Sequence, residues 1–317
     1  MQSKMFVGRL NRAFYSTMEA GSKNLIIVGG GTGFVGSELN EALKNKGYDV
    51  VNLSRRSLSN SLNWDQLISE GLPPSTLAVV NLAGQNVLDP LYRWNSDFKD
   101  LVYKSRIETT KLLSEAIQKS KNKPDSFVQV TGVGYYSPNV MEIQDENSPG
   151  GTHDFLAKLV KDWEAAGKSG IRQVSLRSGV VLGRRGGMIS QIFLPFYFGL
   201  GGVMGSGEQP FPWIHVKDLS ALIIHAIENK KLEGPINAVS PTVTLNKEFV
   251  SAFSSSLNRP AFIPIPEFVW NTVFGTERAD MITKGPKVTS VKLNDFEFQF
   301  PTISDACKEF AQLLYRP

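Results

Sequence analysis

The chain has one cysteine, Cys307, in 317 residues, so no internal disulfide braces it. Its three histidines, His153, His215 and His225, give no metal-ligand cluster of workable spacing. Basic tracts are missing as well. The net charge is +4, but Lys4, Arg9, Arg12 and Lys23 against Glu19 place +3 of it in residues 1–23. The remaining chain is close to neutral, which argues against a nucleic-acid partner. Internal repeats and low-complexity runs are absent. The one long apolar stretch, "MISQIFLPFYFGLGGVMG" at 188–205, is broken by Gln191, Pro195 and four glycines. It reads as the wall of a buried pocket and not as a membrane span.

What is present begins with a tail. Residues 1–23 combine basic, apolar and hydroxyl side chains, with Phe6, Leu10 and Phe14 recurring every four residues. That is the pattern of a mitochondrial transit peptide; a plain disordered tail on a cytoplasmic protein has the same composition. Beyond it, apolar strand-like runs at 25–28, 49–53, 77–82, 127–131 and 173–177 alternate with helical patterns, notably 34–46, 96–119 and 154–168. A further short strand falls near 235–239. The alternation predicts an α/β fold with a parallel sheet covered on both faces. From about residue 184 glycines and aromatics crowd the chain. Residues 185–212 and 241–317 are expected to form a smaller lobe over the sheet's carboxyl edge, with 24–184 and 213–240 forming the nucleotide-binding part. No linker-like run separates the two.

The first strand runs into "GGGTGFVG", residues 29–36. Gly30, Gly33 and Gly36 come at three-residue spacing between an apolar strand and an amphipathic helix. They suit a tight turn, close approach of backbone to a pyrophosphate, and packing of helix on strand. Thr32, Gly33, Phe34 and Val35 then sit where the helix amino end offers free N–H groups and a positive dipole to phosphate. The second strand ends in Ser54, Arg55 and Arg56, where an NAD site normally has an acid. Paired guanidinium groups suit a 2′-phosphate, so NADP(H) is favoured over NAD(H); a solvated basic turn is the alternative. Leu82 and Ala83, in "VVNLAGQN", fall at the carboxyl edge of the sheet, beside the adenine and ribose positions.

These features resemble the extended short-chain dehydrogenase/reductases. The match is closer to an atypical, epimerase-like branch of that family, family 39U. The residues that carry it are "GGGTGFVG", "VNLAGQNV", "RWN", "SRIETTKLL", "TGVGYY", "DENSPGG", "WEAA", "LRSGVVLG", "GLGG", "GSGEQPFPWIHVKDL" and "GPKV", in order from about Asn24 to Phe310. The resemblance implies a Rossmann-type doubly wound parallel sheet, bound NADP(H), and a smaller C-terminal substrate lobe. It also implies two further cofactor neighbours: Arg106 of "SRIETT", and Val181 of "SGVVLG" at the end of the sixth strand.

The superfamily's Tyr–x–x–x–Lys pair is absent in every frame. The two side chains would share one helix face, where the ammonium lowers the phenol's pKa for proton transfer. Counting back from Glu164 puts Val160 at the lysine place and Leu156 at the tyrosine place; a slip of one gives Leu159 and Phe155. None of these can donate a proton. Thr131 matches the hydroxyl that polarises a substrate carbonyl. Tyr135 and Tyr136 follow it on a loop expected to cross the substrate mouth, as substitute acids tuned by Lys158 or Lys161, or as walls. His215 is expected to organise the loop that carries Trp213. Two readings stay open: an NADP(H)-dependent oxidoreductase acting on a small carbonyl or alcohol, and a non-catalytic NADPH-binding redox sensor or assembly partner.

Overall fold

In the computed structural model residues 23–54, 61–89 and 91–312 are described. The transit-peptide reading and the Arg55–Arg56 pair lie outside the described residues. Seven parallel strands form one sheet in the order β3 (Ser61–Asn63), β2 (Asp49–Ser54), β1 (Leu25–Gly29), β4 (Thr76–Asn81), β5 (Ser126–Gly132), β6 (Gln173–Ser178) and β9 (Gly234–Ala238). The order reverses between β1 and β4, which opens a crevice at the carboxyl edge where ligands of such sheets bind.

Alternate residues of the apolar strands serve opposite faces. Ile26 and Val28 of β1 pack with Leu39 and Leu43 of α1 (Phe34–Asn45) and with Leu219 and Ile223 of α6 (Val216–Glu228). Leu25 and Ile27 turn the other way, onto Leu67 of α2 (Trp64–Glu70) and Leu113 and Ile117 of α3 (Ser96–Lys119). Next to α3 on that face lies α4 (Phe155–Ala166), joined through Val102, Ile107, Leu159 and Trp163. The fold is a doubly wound Rossmann-type sheet.

After Gly179 the chain leaves this sheet. Val181, expected at the end of the sixth strand, instead belongs to β7 (Val180–Gly183), which pairs in parallel with β8 (Trp213–His215). Between them runs α5 (Gly187–Tyr197). With α7 (Asn246–Ser256) and α10 (Ile303–Gln312) it builds a smaller lobe, while α8 (Glu267–Phe274) and α9 (Thr276–Thr283) stay outside its core and Arg278 of α9 donates to the carbonyls of Val87, Asp89 and Tyr92. The lobe's core is aromatic: Phe193, Phe196, Phe211, Trp213, Phe249, Phe253 and Phe310. The stretch 188–205 is only half a wall, because Ile189, Phe193 and Phe196 are buried while Leu194, Phe198 and Leu200 face outward. Among the described residues no helix is long and apolar enough to cross a membrane.

The segment "WIHVKD" ties the chain's last helix to the sheet. His215 caps α6, its Nδ1 accepting from Lys217 N at 3.2 Å, and its ring lies 3.9 Å from Phe300 and 5.4 Å from Phe310. Asp218 accepts from the amides of Gln299 and Phe300 at 2.7 and 3.0 Å. Lys217 Nζ reaches Glu309 at 2.9 Å, and contacts from His215 and then Lys217 hold that carboxyl down at about 2.

Candidate dinucleotide site and its neighbouring corner

At the β1–α1 turn the glycines have separable reasons. Gly30 has φ +78°, and a Cβ there would lie 2.8 Å from the backbone of Leu82 and Ala83. The phosphate loop therefore rests directly on the end of β4. A Cβ at Gly36 would come within 2.4 Å of Gly30 O, so helix and loop touch backbone to backbone. Gly33 differs. It is extended (φ −79°, ψ −178°), exposed, and a Cβ there would meet only Gly30 O, at 3.3 Å. Neither packing nor backbone angle requires glycine at this position. The open space lies in front of the amino end of α1, whose N-cap makes no side-chain hydrogen bond. Thr32 is exposed beside it, and Phe34 and Val35 are half-buried in the first turn.

Polar groups around this turn are left wanting. The Oδ1 atoms of Asn40 and Asn52 are buried without partners, and Asn52 Oδ1 is 1.7 Å from where a Gly31 Cβ would stand. Ser54 ends β2 half-buried at the same edge. Across the crevice, Asn81 accepts from Ala83 N at 3.0 Å and donates to Thr110 Oγ1 at 2.8 Å. Trp163 Nε1 donates to the same hydroxyl at 2.9 Å, fixing the Leu82–Ala83 backbone. Arg106 of α3 lies against Gly84, its guanidinium 5.1 Å from the Trp163 ring centroid. Its one hydrogen-bond acceptor among the described residues is Val102 O at 3.2 Å. Burial pushes its pKa down to about 10, and no carboxylate offsets that. A free helix end, an open glycine and an unneutralised cation fit an anionic dinucleotide.

The corner at the ends of β5 and β6 is the opposite. Leu156, Val160 and Glu164 recur every four residues along one face of α4. Leu156 faces Gly134, and Glu164 reaches β5 and β6. The proton-transfer positions of the helix are therefore aliphatic. Arg177 of β6 is 3% exposed and gives Glu164 two parallel hydrogen bonds, each 2.7 Å. It also donates to Tyr136 Oη at 2.9 Å and stacks 3.5 Å from the centre of the Tyr135 ring.

Three hydroxyls at this corner donate to protein acceptors. Thr131 donates to Glu164 at 3.3 Å, and Ser178 to Thr131 O at 3.2 Å. Tyr136, expected on a loop across the substrate mouth, lies in the bend after a short 3-10 turn with its side chain turned inward. It is fully buried among Val133, Val239 and Val288, and donates to Asn237 Oδ1 at 2.9 Å. Burial pushes its phenol pKa up despite Arg177. A tyrosine so placed is a structural tie, because its long-range partners sit in β6 and β9. Tyr135, ending a 3-10 turn (Val133–Tyr135), is half-buried, and its hydroxyl makes no hydrogen bond among the described residues. Its ring is held between Arg177 and the Gly150–Gly151 backbone, where added Cβ atoms would come within 2.6 and 2.8 Å of ring carbons. Lys158 and Lys161 are exposed on α4.

The Arg177–Glu164 pair escaped the sequence reading. Its signal was there: an arginine inside "QVSLRS", a strand otherwise buried along its middle, requires a partner. Glu146 is a second such group. It is buried, accepts from the amides of Asn237 and Val291 at 2.9 and 3.0 Å and from the Ser290 hydroxyl, and ties β9 to the 289–291 loop.

A parallel sheet with a phosphate-binding turn at its switch point defines a dinucleotide-binding α/β protein. The chain belongs to the NAD dependent epimerase/dehydratase family, which it matches over residues 26–238. Residues 265–310 match a domain of unknown function, DUF1731. The epimerase family protein SDR39U1 of Bos taurus is 47% identical over 290 residues, covering 90% of this chain and 98% of the cattle protein. YfhF of Bacillus subtilis is 34% identical over 301 residues, covering 91% and 97%. The crystal structure of human SDR39U1 (isoform 2) with NADPH superposes with a TM-score of 0.89 at 46% identity, covering 91% of this chain and 99% of the human one.

Proposed function

We propose that the protein is an NADP(H)-dependent oxidoreductase acting on a small carbonyl or alcohol without a Tyr–x–x–x–Lys pair. The observation that carries this reading is the uncommitted edge of the crevice: open Gly33, the amino end of α1 without a side-chain cap, and Arg106 with no counter-ion among the described residues. The human relative's capture with NADPH supports it. In this reading Gly30, Thr32, Gly33, Phe34 and Val35 receive the diphosphate, Leu82 and Ala83 line the adenosine side, and Ser54, Arg55 and Arg56 take the 2′-phosphate. Arg106 and Val181 flank the rest of the cofactor. Bound NADPH supplies hydride chemistry. The protein's part is placement; of the three polarising candidates, Thr131 and Tyr136 are tied to protein acceptors, and Tyr135 alone has a hydroxyl without a hydrogen bond among the described residues.

The saturated corner favours a second reading, an NADPH-binding sensor or assembly partner that does no chemistry. Titration of the purified chain with NADPH, followed by a panel of carbonyl compounds monitored at about 340 nm, separates the two. Turnover supports the enzyme; tight binding with no turnover across the panel supports the sensor. Replacing Arg55 and Arg56 together by alanine should weaken NADPH at least about tenfold more than NADH. Equal losses would remove the basis for the 2′-phosphate assignment.

A further inference from the structure

The first residue of the phosphate-binding helix is also the seat of the smaller lobe. Phe34 follows the N-cap Gly33, and its ring is covered by the glycine loop that leaves β7. A Cβ added at Gly183 would stand 2.8 Å from Phe34 Cζ, at Gly186 2.5 Å from Cγ, and at Gly187 3.1 Å from Cε1. Three glycines thus let the loop's backbone lie flat on one ring. The loop is held from the far side by Val216 of α6, 2.7 Å from the same added Gly183 Cβ. Its position against α1 is therefore fixed by close backbone contact at several points.

This loop carries Arg184, between two of the glycines that touch Phe34. The guanidinium carbon lies 3.3 Å from the centre of the Phe193 ring, and the side chain is half-buried. Among the described residues no carboxylate comes within ion-pair distance of it, and burial alone pushes its pKa down. Elsewhere the protein pairs its inward-turned arginines with acceptors. Arg177 has Glu164, Arg172 donates to the carbonyls of Ala226, Ile227 and Leu232, and Arg278 to those of Val87, Asp89 and Tyr92. Arg184 has an aromatic platform and, among the described residues, no acceptor. A guanidinium stacked on a ring keeps all its N–H groups in the plane free for an oxyanion.

We propose that Arg184 is the smaller lobe's contribution to dinucleotide binding, donating to the diphosphate at the amino end of α1. The assignment rests on the cofactor reading above and extends it across the seam between the lobes. Closing the anion between a helix dipole on one side and a stacked guanidinium on the other couples cofactor binding to the order of the Gly183–Gly187 loop.

Three full-length proteins test it: wild type, Arg184→Gln and Arg184→Lys, each titrated with NADPH and with adenosine 2′-monophosphate, which has no diphosphate. Arg184→Gln should raise the NADPH Kd at least about tenfold while changing that for adenosine 2′-monophosphate less than about twofold, and Arg184→Lys should recover part of the loss. Amide hydrogen exchange across 183–190 should slow on addition of NADPH in the wild type and not in Arg184→Gln. An unchanged NADPH Kd in Arg184→Gln overturns the assignment, as does an equal loss for both ligands or an exchange rate indifferent to NADPH. Failure of the wild type to bind NADPH at all is a different result, and overturns the cofactor reading itself.

Discussion

Two ends of one crevice treat their polar groups in opposite ways. Among the described residues, the N-cap of α1 makes no side-chain hydrogen bond, two asparagine oxygens at the β1–α1 turn have no partner, and Arg106 across the crevice has no carboxylate against it. At the ends of β5 and β6 the hydroxyls of Thr131, Tyr136 and Ser178 all donate to protein acceptors, and Glu164 is gripped by Arg177. A buried polar group left unsatisfied carries a cost that a bound ligand can offset. Where it satisfies them all, the network fixes geometry and gives little to a reacting molecule. The dinucleotide edge is accordingly left open in the fold, while the corner at β5 and β6 is committed to contacts within the protein.

The contrast can be broken most forcefully at Arg177. Arg177→Ala leaves the half-buried Glu164 without its cation and frees Tyr136, and should destabilise the protein by about 2–4 kcal/mol in urea unfolding. A loss under about 1 kcal/mol would mean the corner is not the tie described. Glu309 gives a smaller effect with a pH signature. Its carboxyl is held at about 2, below the ordinary 4.5, so its contribution is present above the unfolded value and is lost as pH falls towards 2. Glu309→Gln should cost about 2 kcal/mol at neutral pH, after allowance for partial exposure, with the difference from wild type closing between about pH 4.5 and 2. A gap that persists unchanged at pH 2 would contradict the charge-based account.

Within the open end itself, two glycines should part company. Gly36→Ala drives a methyl into Gly30 O and should cost about 1–3 kcal/mol. Gly33→Ala presses only on Gly30 O, at 3.3 Å, and should cost under about 1 kcal/mol while weakening NADPH about tenfold or more. A destabilised Gly33→Ala protein would show that the space is structural. Least of all is expected from Cys307. It is fully buried and burial pushes its thiol pKa far up, so it should resist alkylation in native buffer and react fully in denaturant.

Legibility in the sequence followed the range of the interactions. The long strands stood out because both faces of the sheet are covered and the runs are apolar end to end, as in "LIIV" and "TLAVV". β3, β7 and β8, of three to four residues, are too short for a period to register, and so Val181 was placed on the wrong strand. The glycine turn was readable because its chemistry lies within eight residues. Tyr136 was misplaced because its partners, Arg177 and Asn237, lie 41 and 101 residues away. Nothing local distinguishes it from Tyr135. The loss of the Tyr–Lys pair was visible by counting, while the closing of Thr131 onto Glu164 needed the packing of α4 on β5.

The account's central claim is that the crevice is complete for NADPH while the neighbouring corner is closed. Calorimetric titration of the full chain with NADPH and with NADH tests it most directly. The account predicts saturable 1:1 NADPH binding at least about tenfold tighter than NADH, equivalent to about 1.4 kcal/mol. No binding, or equal affinity for the two, would contradict it.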